Sequence, residues 1–263
     1  MKKVIDLTMH IYEGMGIGRV FPEEQEFIIE DTFNYKDHGI RVSRFIMWQE
    51  PGTRLNLGSV AASRRDQTKL DEIDLNSLYE RETVILDIPK GPGEGVLDTE
   101  IEKAFSEVNY REGDWVIIHT GWGDNQRYFD LGDDYPLKSP YYSDGAGKRL
   151  AEILSANKTP LFGYDTASMG HPAKHIIPKW VKRDPRPPGW PSPEAKEFLK
   201  NYTPQMLKED WGAVMPLPAA GIMILGGLVN VGALTKKRVK LTILPLKLKG
   251  VGGGPCRVVA IED

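Results

Sequence analysis

The chain has 263 residues, with 34 lysines and arginines against 37 aspartates and glutamates, which gives a formal net charge of −3. This mixed, mildly acidic charge is not typical of nucleic-acid-binding proteins, so we expect no nucleic-acid partner. The single cysteine excludes an internal disulfide and a zinc site made of cysteines alone. No apolar run approaches the roughly 18 residues of a membrane helix and no secretory signal is recognisable, which predicts a cytoplasmic protein without a membrane partner.

Short apolar segments bounded by turn residues predict strands along most of the chain. In chain order the predicted strands are 4–7, 27–29, 40–48, 83–88, 115–119, 160–164, 239–247 and 257–261. Predicted helical segments are 75–79, 98–107 and 143–156, the last of them capped by Ser143 or Asp144. Strands dominate, and no glycine- or serine-rich linker divides the sequence. We therefore expect an α/β fold in a single domain, residues 1–263.

Residues 172–193 differ from the rest of the chain in composition. They hold seven of the 19 prolines, together with two tryptophans and a basic cluster of Lys179, Lys182, Arg183 and Arg186. So many prolines exclude a regular helix or a central strand, and the aromatic content is not typical of a plain linker. Two interpretations stay open: a surface excursion packed on its own chain, or a lid or inter-subunit arm beside the active site.

Several short motifs follow one another along the chain. They are Asp6-Leu7-Thr8, Gly52-Thr53, Gly113-Asp114, His119-Thr120-Gly121-Trp122, Gly163-Tyr164-Asp165-Thr166 and Leu244-Pro245-Leu246-Lys247. In order and spacing these motifs resemble the cyclase superfamily, metal-dependent hydrolases that include bacterial kynurenine formamidase and isatin hydrolase. The resemblance covers most of the chain apart from residues 172–193. It implies a swivelling β/β/α fold, with a mixed sheet core and flanking helices, and assembly into homodimers or homotetramers.

The resemblance also implies where a metal would bind. The family carries His-x-Gly-Thr-His-x-Asp with another histidine four residues later, and a histidine and a glutamate twelve residues apart further on. Here the first frame reads Glu50-Pro51-Gly52-Thr53-Arg54-Leu55-Asn56, with Val60 at the later histidine. The downstream positions fall at Val214 and Gly226. Gly52-Thr53 is kept, whereas every ligand position has changed.

These replacements remove the chemistry that a metal needs. A divalent transition metal requires three or four donors from His, Asp, Glu or Cys. Arg54 is a permanent cation and cannot donate an electron pair, and valine and glycine have no side-chain donor. Only Glu50 could ligate well, and Asn56 could do so weakly. We therefore predict that the family's metal site is absent and that no cofactor is used.

Two interpretations of the altered site remain open. In one, Glu50 and Arg54 form an ion pair that merely satisfies both charges. In the other, Arg54 binds a substrate carboxylate through two hydrogen bonds, and Glu50 serves as a general acid or base. The second interpretation contains a conflict, because a neighbouring cation weakens a carboxylate as a base.

Other residues are candidates for contact with a substrate or for catalysis. The candidates for substrate contact are Gln49, Asn56, Tyr12, His10, Trp48 and Trp122. His171 is a candidate acid or base, because histidine titrates near neutral pH. His171 and His175 also have i, i+4 spacing, and with Asp165 they form the one replacement metal site that the sequence offers. His119 and Cys256 are interpreted as residues of the core.

Together these patterns predict an enzyme on a cyclase-like fold that works without the family metal. Its substrate would be small, anionic, and carboxylate- or carbonyl-bearing. The expected reaction is acid–base chemistry: elimination, isomerisation, ring opening or closure, or hydrolysis. Two alternatives remain: a non-catalytic ligand-binding or partner subunit, and an amide or lactone hydrolase with a relocated metal.

Overall fold

A computed structural model describes residues 2–16, 27–58, 68–171, 214 and 216–262. The strands in these ranges are β1 (Lys3–Asp6), β2 (Ile28–Phe33), β3 (Val42–Ile46), β4 (Arg54–Asn56), β5 (Arg81–Asp87), β6 (Gly95–Val96), β7 (Trp115–His119), β8 (Tyr141–Tyr142), β9 (Leu161–Tyr164), β10 (Met223–Gly226), β11 (Arg238–Pro245) and β12 (Gly253–Glu262). The α-helices are α1 (Tyr35–His38), α2 (Asp98–Ser106), α3 (Arg127–Leu131), α4 (Asp134–Leu137), α5 (Asp144–Ala156) and α6 (Pro216–Ala219). The 172–193 segment, Val60 and His175 lie outside the described residues.

Seven strands close into a barrel. Their order is β12-β11-β5-β7-β9-β10-β4, and β4 pairs back with β12, while β1 adds to the other end of the long β12. Strands β5, β7, β9 and β10 run parallel to one another, and the remaining barrel pairs are antiparallel. This mixed sheet with helices on its outside confirms the predicted fold class.

The barrel interior is apolar. Leu55, Ile117, Leu161, Leu225 and Val258 come from five different strands, and all are fully buried there. Most of β7 and residues 84–86 of β5 are apolar runs because both faces of these strands are covered there, one by the interior and the other by helices. Side chains alternate between the two faces of a strand, so the neighbours of these interior residues point outward.

Helices α2 and α5 cover the outer face of the parallel strands. Their apolar stripes, which include Ile101 and Leu150, pack on a second buried cluster that contains Phe162 and Tyr164 of β9. Helix α5 begins where the sequence predicts, because the Ser143 hydroxyl accepts a hydrogen bond from the backbone N–H of Ala146. Among the described residues, no helix is long and apolar enough to cross a membrane.

Candidate functional site

The replaced metal motif lies on the outer face of the barrel at β4. Leu55 points into the interior, so its neighbours Arg54 and Asn56 point outward on one face. In the sheet register Arg54 lies between Gly226 of β10 and Pro255 of β12. The structure therefore brings the altered positions 54, 56 and 226 together.

The Arg54 guanidinium is held by oxygen atoms. Nη1 donates to the carbonyl of Gly52 (3.1 Å), and Nη2 donates to the carbonyl of Ala167 (3.0 Å). Nε lies 3.9 Å from Glu50 Oε2, so the ion pair of the first interpretation is formed. Only 11% of the Arg54 side chain is exposed, which means that this cation is largely removed from water. Its charge therefore acts on neighbouring groups more strongly than a surface charge would.

Glu50 links Arg54 to Asn56. Asn56 Nδ2 donates to the same Glu50 oxygen that faces Arg54, at 3.1 Å. The Glu50 side chain is 21% exposed, so this carboxylate reaches the surface while its inner oxygen is paired. Asn56 Oδ1 is buried and has no hydrogen-bond partner in the described part of the chain. An unpaired buried acceptor costs about 1–3 kcal/mol.

Tyr164 is a site residue that the sequence reasoning missed. Its hydroxyl lies 3.4 Å from Arg54 Nη2, and the residue is 4% exposed at the end of β9. Burial raises the pKa of the Tyr164 hydroxyl, and the charge of Glu50 adds to the increase while that of Arg54 opposes it. The residue lies in the Gly163-Tyr164-Asp165-Thr166 motif, but nothing in that motif indicates that β9 runs two strands away from β4.

Two glycines make the space that Arg54 and Tyr164 occupy. A Cβ atom at Gly226 would lie 2.6 Å from the Tyr164 hydroxyl oxygen and 3.3 Å from Arg54 Cζ. A Cβ atom at Gly227 would lie 3.3 Å from Arg54 Nη1, and Gly227 also has a φ of +69°. The glycines at the end of β10 therefore belong to the site, because any larger residue would displace the guanidinium.

His10 and Tyr12 form a separate aromatic group next to the site. His10 Nδ1 is 2.8 Å from the Tyr128 hydroxyl, and the Tyr12 hydroxyl donates to the Tyr128 carbonyl. Trp122 is 1% exposed and stacks on Tyr135, in an apolar cluster that also contains Ala167, whose carbonyl accepts from Arg54. Trp122 is thus a core residue of the cluster that contains Ala167.

The remaining candidates take different places. Trp48 is 41% exposed, in the segment between the β2–β3 hairpin and Glu50. Gln49 Nε2 donates to the carbonyl of Gly253, which lies opposite Asn56 in the register of β4 and β12. His171 is buried and packs edge-on against Tyr141, with ring centroids 4.2 Å apart.

Asp165 serves the loop after β7. Its carboxylate, which is fully buried, accepts from the backbone N–H and hydroxyl of Thr120 and from the backbone N–H of Gly121. Burial raises the pKa of Asp165, and these donors oppose the increase. Of the other members of the alternative metal site, His175 lies outside the described residues. Cys256 is buried as predicted, and burial raises the pKa of its thiol to about 12.

The Cyclase family model matches residues 5–171, which is more than half of the chain. The chain belongs to the cyclase family. This membership confirms the resemblance of the sequence motifs. No protein of curated function matches the sequence significantly.

Solved structures of several other proteins have the same fold. Isatin hydrolase A from Labrenzia aggregata, bound to benzyl benzoate, has a TM-score of 0.71 at 20% identity, with 99% of this chain and 93% of that chain covered. An isatin hydrolase bound to the product analogue thioisatinate has a TM-score of 0.71 at 18% identity, with 99% and 92% covered. A predicted metal-dependent hydrolase from Bacillus stearothermophilus has a TM-score of 0.62 at 20% identity, with 100% of both chains covered. At such identities the likeness shows the fold alone.

The site of this cyclase-family chain does not fit the metal that the resemblance of its motifs implies. Glu50 supplies the one carboxylate at the altered positions, and its inner oxygen is already paired with Asn56 and faces Arg54. A guanidinium and a divalent cation repel each other, so both cannot occupy this small space. Among the described residues, no three His, Cys, Asp or Glu side chains converge on a metal-sized space.

Proposed function

We propose that this chain is an enzyme that binds a small carboxylate- or carbonyl-bearing molecule beside Arg54 and acts on it by acid–base chemistry without the family metal. The observation that supports the proposal is the Arg54 guanidinium, a permanent cation that is 11% exposed and fixed by the carbonyls of Gly52 and Ala167. A fixed cation in a poorly solvated site stabilises negative charge as it develops on a substrate oxygen.

Glu50 is the acid–base group in this proposal, and His171 is the second candidate. For hydrolysis of an amide, Glu50 takes a proton from water while the water oxygen bonds to the carbonyl carbon, and Arg54 stabilises the resulting oxyanion. The carbon–nitrogen bond then breaks, and Glu50 returns the proton to the leaving nitrogen. For isomerisation or elimination, Glu50 instead takes the proton from the carbon next to the carbonyl group, and Arg54 stabilises the enolate oxygen. In an isomerisation Glu50 then returns this proton to another carbon of the enolate. In an elimination the bond to the leaving group on the next carbon breaks, and Glu50 gives the proton to the leaving group.

A binding protein without catalytic activity is the second candidate function. The formed ion pair between Glu50 and Arg54 favours it, because a carboxylate that faces a guanidinium at 3.9 Å is a weaker base. Both candidate functions place the ligand at the same residues, so they differ only in whether bound ligand is converted.

The experiment uses isatin, which the names of two structural neighbours give as their substrate, and its ring-opened product isatinate. The full-length protein is stripped with a chelator, its zinc and manganese content is measured, and binding and ring opening are followed by absorbance. We expect metal-free protein to bind and open isatin, and Arg54→Met to lower kcat/KM at least 100-fold. The matched control is Arg44→Met, which removes an exposed arginine on the β2–β3 hairpin.

The outcomes separate the alternatives. Tight binding without turnover would support the binding protein. Activity that disappears with the chelator and returns with zinc or manganese would contradict the proposal, as would full activity in Arg54→Met. Absence of binding of both isatin and isatinate would contradict this ligand class.

A further inference from the structure

The ion pair at the site orients two neutral groups. Glu50, as an ionised carboxylate, only accepts hydrogen bonds, so the Asn56 amide must turn its NH2 group toward it. Asn56 Oδ1 is therefore the amide atom that has no hydrogen-bond partner within the described site. That oxygen is buried and unpaired within the described residues, although the Asn56 side chain as a whole reaches the surface.

Arg54 orients the Tyr164 hydroxyl so that its hydrogen is the part left without a partner in the described part of the structure. Arginine only donates, so the Tyr164 oxygen accepts from Nη2, and the hydroxyl hydrogen must point elsewhere. That hydrogen has no acceptor among the residues that the structure describes. Because burial raises the pKa of Tyr164, the hydroxyl keeps its hydrogen at neutral pH. The site therefore contains one oriented acceptor and one oriented donor, each held by a member of the ion pair.

We propose that Tyr164 and Asn56 form a neutral recognition pair, in which the Tyr164 hydroxyl donates to a ligand carbonyl oxygen and Asn56 Oδ1 accepts from an N–H or O–H of the same ligand. The inference rests on the proposed function and narrows it, because it selects an uncharged carbonyl compound with an adjacent donor over a carboxylate. A second carboxylate beside Glu50 would be repelled, and it has no hydrogen to give to Asn56.

The geometry of the sheet allows both contacts to one molecule. Tyr164, Gly226 and Arg54 lie side by side on β9, β10 and β4, and Asn56 lies two residues beyond Arg54 on the same face. Gly226 has no side chain, so the Tyr164 hydroxyl and the Arg54 guanidinium meet over this position, within 2.6 Å and 3.3 Å of where a Cβ atom would be. The partly exposed Glu50 and Asn56 place the opening of the site on the β4 side.

The test compares pairs of ligands in which a methyl group replaces the hydrogen of one hydrogen-bond donor. For an N–H donor the pair is isatin and N-methylisatin, and for an O–H donor it is methyl mandelate and its O-methyl ether. Isatinate and mandelate are the charged comparisons. Dissociation constants are measured by calorimetry for the wild type, Asn56→Leu, Tyr164→Phe and Tyr142→Phe. Tyr142 is the matched control, because it is a buried tyrosine whose hydroxyl has no partner in the described structure and whose ring is near that of Tyr164.

We expect the wild type to bind the N–H or the O–H compound at least tenfold more tightly than its methylated partner and than the matching carboxylate. Asn56→Leu should abolish the discrimination between the members of a pair. Tyr164→Phe should weaken both members about equally, and Tyr142→Phe should change neither. The methylated ligands test the Asn56 contact even if a variant fails to fold.

Equal binding of both members of both pairs by the wild type would overturn the inference and leave the proposed function standing. Tighter binding of isatinate or mandelate than of the uncharged compounds, lost in Arg54→Met, would overturn the neutral pair and support the carboxylate version of the proposed function. Absence of binding for all of these compounds would overturn both.

Discussion

His119 Nε2 lies 2.8 Å from Asp124 Oδ2, and its other ring nitrogen lies 3.0 Å from Asp87 Oδ1. Asp124 also accepts from the backbone N–H of Gly232, and Asp87 pairs with Lys237. The imidazole therefore joins the ends of β5 and β7 to the loops before β11. Burial alone lowers the pKa of His119, but the Asp124 hydrogen bond and the charges of Asp165 and Asp124 outweigh burial and raise it.

This network predicts a pH-dependent contribution to stability. Because the folded pKa of His119 is raised, its contribution is complete below the ordinary value of about 6.5 and is lost as pH rises through the folded pKa. The pKa of Asp124 is lowered despite burial, by His119 and the Gly232 N–H, so its contribution is lost as pH falls below the ordinary range of an aspartate. His119→Gln should cost about 2 kcal/mol near pH 5–6 and clearly less near pH 9.

Urea unfolding across this pH range measures the difference. The control is His38→Gln, which removes an exposed histidine at the last position of α1. A cost for His119→Gln that does not change between pH 5 and pH 9 would show that the imidazole acts only by packing.

The positions of most barrel strands could be predicted from the sequence, but the order in which the strands pair could not. Trp115–His119 is found as predicted, because four large apolar residues in a row, followed by a histidine, fit a strand covered on both faces. Strands β4 and β10 were missed, because three or four residues that include arginine, asparagine or glycine carry no clear alternation. Those two strands hold the site, so its true neighbours could not be inferred from local pattern.

Thr53 explains why Gly52-Thr53 persists in a motif whose other functional residues have changed. Its hydroxyl donates to the Gly227 carbonyl (2.6 Å) and accepts from the Met9 N–H (2.8 Å), and the residue is 1% exposed. Thr53→Val keeps the shape but leaves a buried donor and acceptor unpaired, so it should cost about 2–3 kcal/mol. Thr53→Ser keeps the hydroxyl and should cost about 1 kcal/mol, for one lost methyl group.

The comparison of these two variants by urea unfolding tests the role of the hydroxyl. Equal costs would show that the Thr53 hydroxyl contributes no more to stability than one methyl group, and retention of Gly52-Thr53 would then need another explanation.

Gly226→Ala tests whether the end of β10 is shaped around Tyr164. The new methyl group would lie 2.6 Å from the Tyr164 oxygen, so a side chain or strand must shift, at a cost of about 2 kcal/mol. Adding Tyr164→Phe removes the closest atom, and the double variant should recover part of the lost stability. Gly170→Ala is the control, since its methyl group would meet only the Ser168 hydroxyl at 3.6 Å. Thermal unfolding of the wild type, Gly226→Ala, Tyr164→Phe, the double variant and the Gly170→Ala control decides. Additive losses in the double variant would contradict the contact.

The ion pair of Glu50 and Arg54 is one of the two interpretations that the sequence leaves open, because positions 50, 54 and 56 converge in the family, and the structure places the two charges 3.9 Å apart. The part played by Tyr164 was not foreseen. Its approach to Arg54 depends on the order β9-β10-β4, which joins segments about 110 residues apart in the sequence. Sequence reasoning therefore reached the local contacts of the site and missed the one made across the sheet.

Replacing the buried Asp165 carboxylate by an amide should lower the free energy of unfolding strongly, although the two side chains have nearly the same shape. Its two oxygens accept from two backbone N–H groups and one hydroxyl, all supplied by Thr120 and Gly121. Asp165→Asn replaces one oxygen by an NH2 group, which would face an N–H or O–H donor and leave buried donors unpaired, at about 2–4 kcal/mol. Asp130→Asn makes the same change at an exposed position on α3 and should cost less than about 0.5 kcal/mol. Urea unfolding at neutral pH compares the two, and equal effects would mean that the Asp165 carboxylate is not what holds the loop after β7 in place.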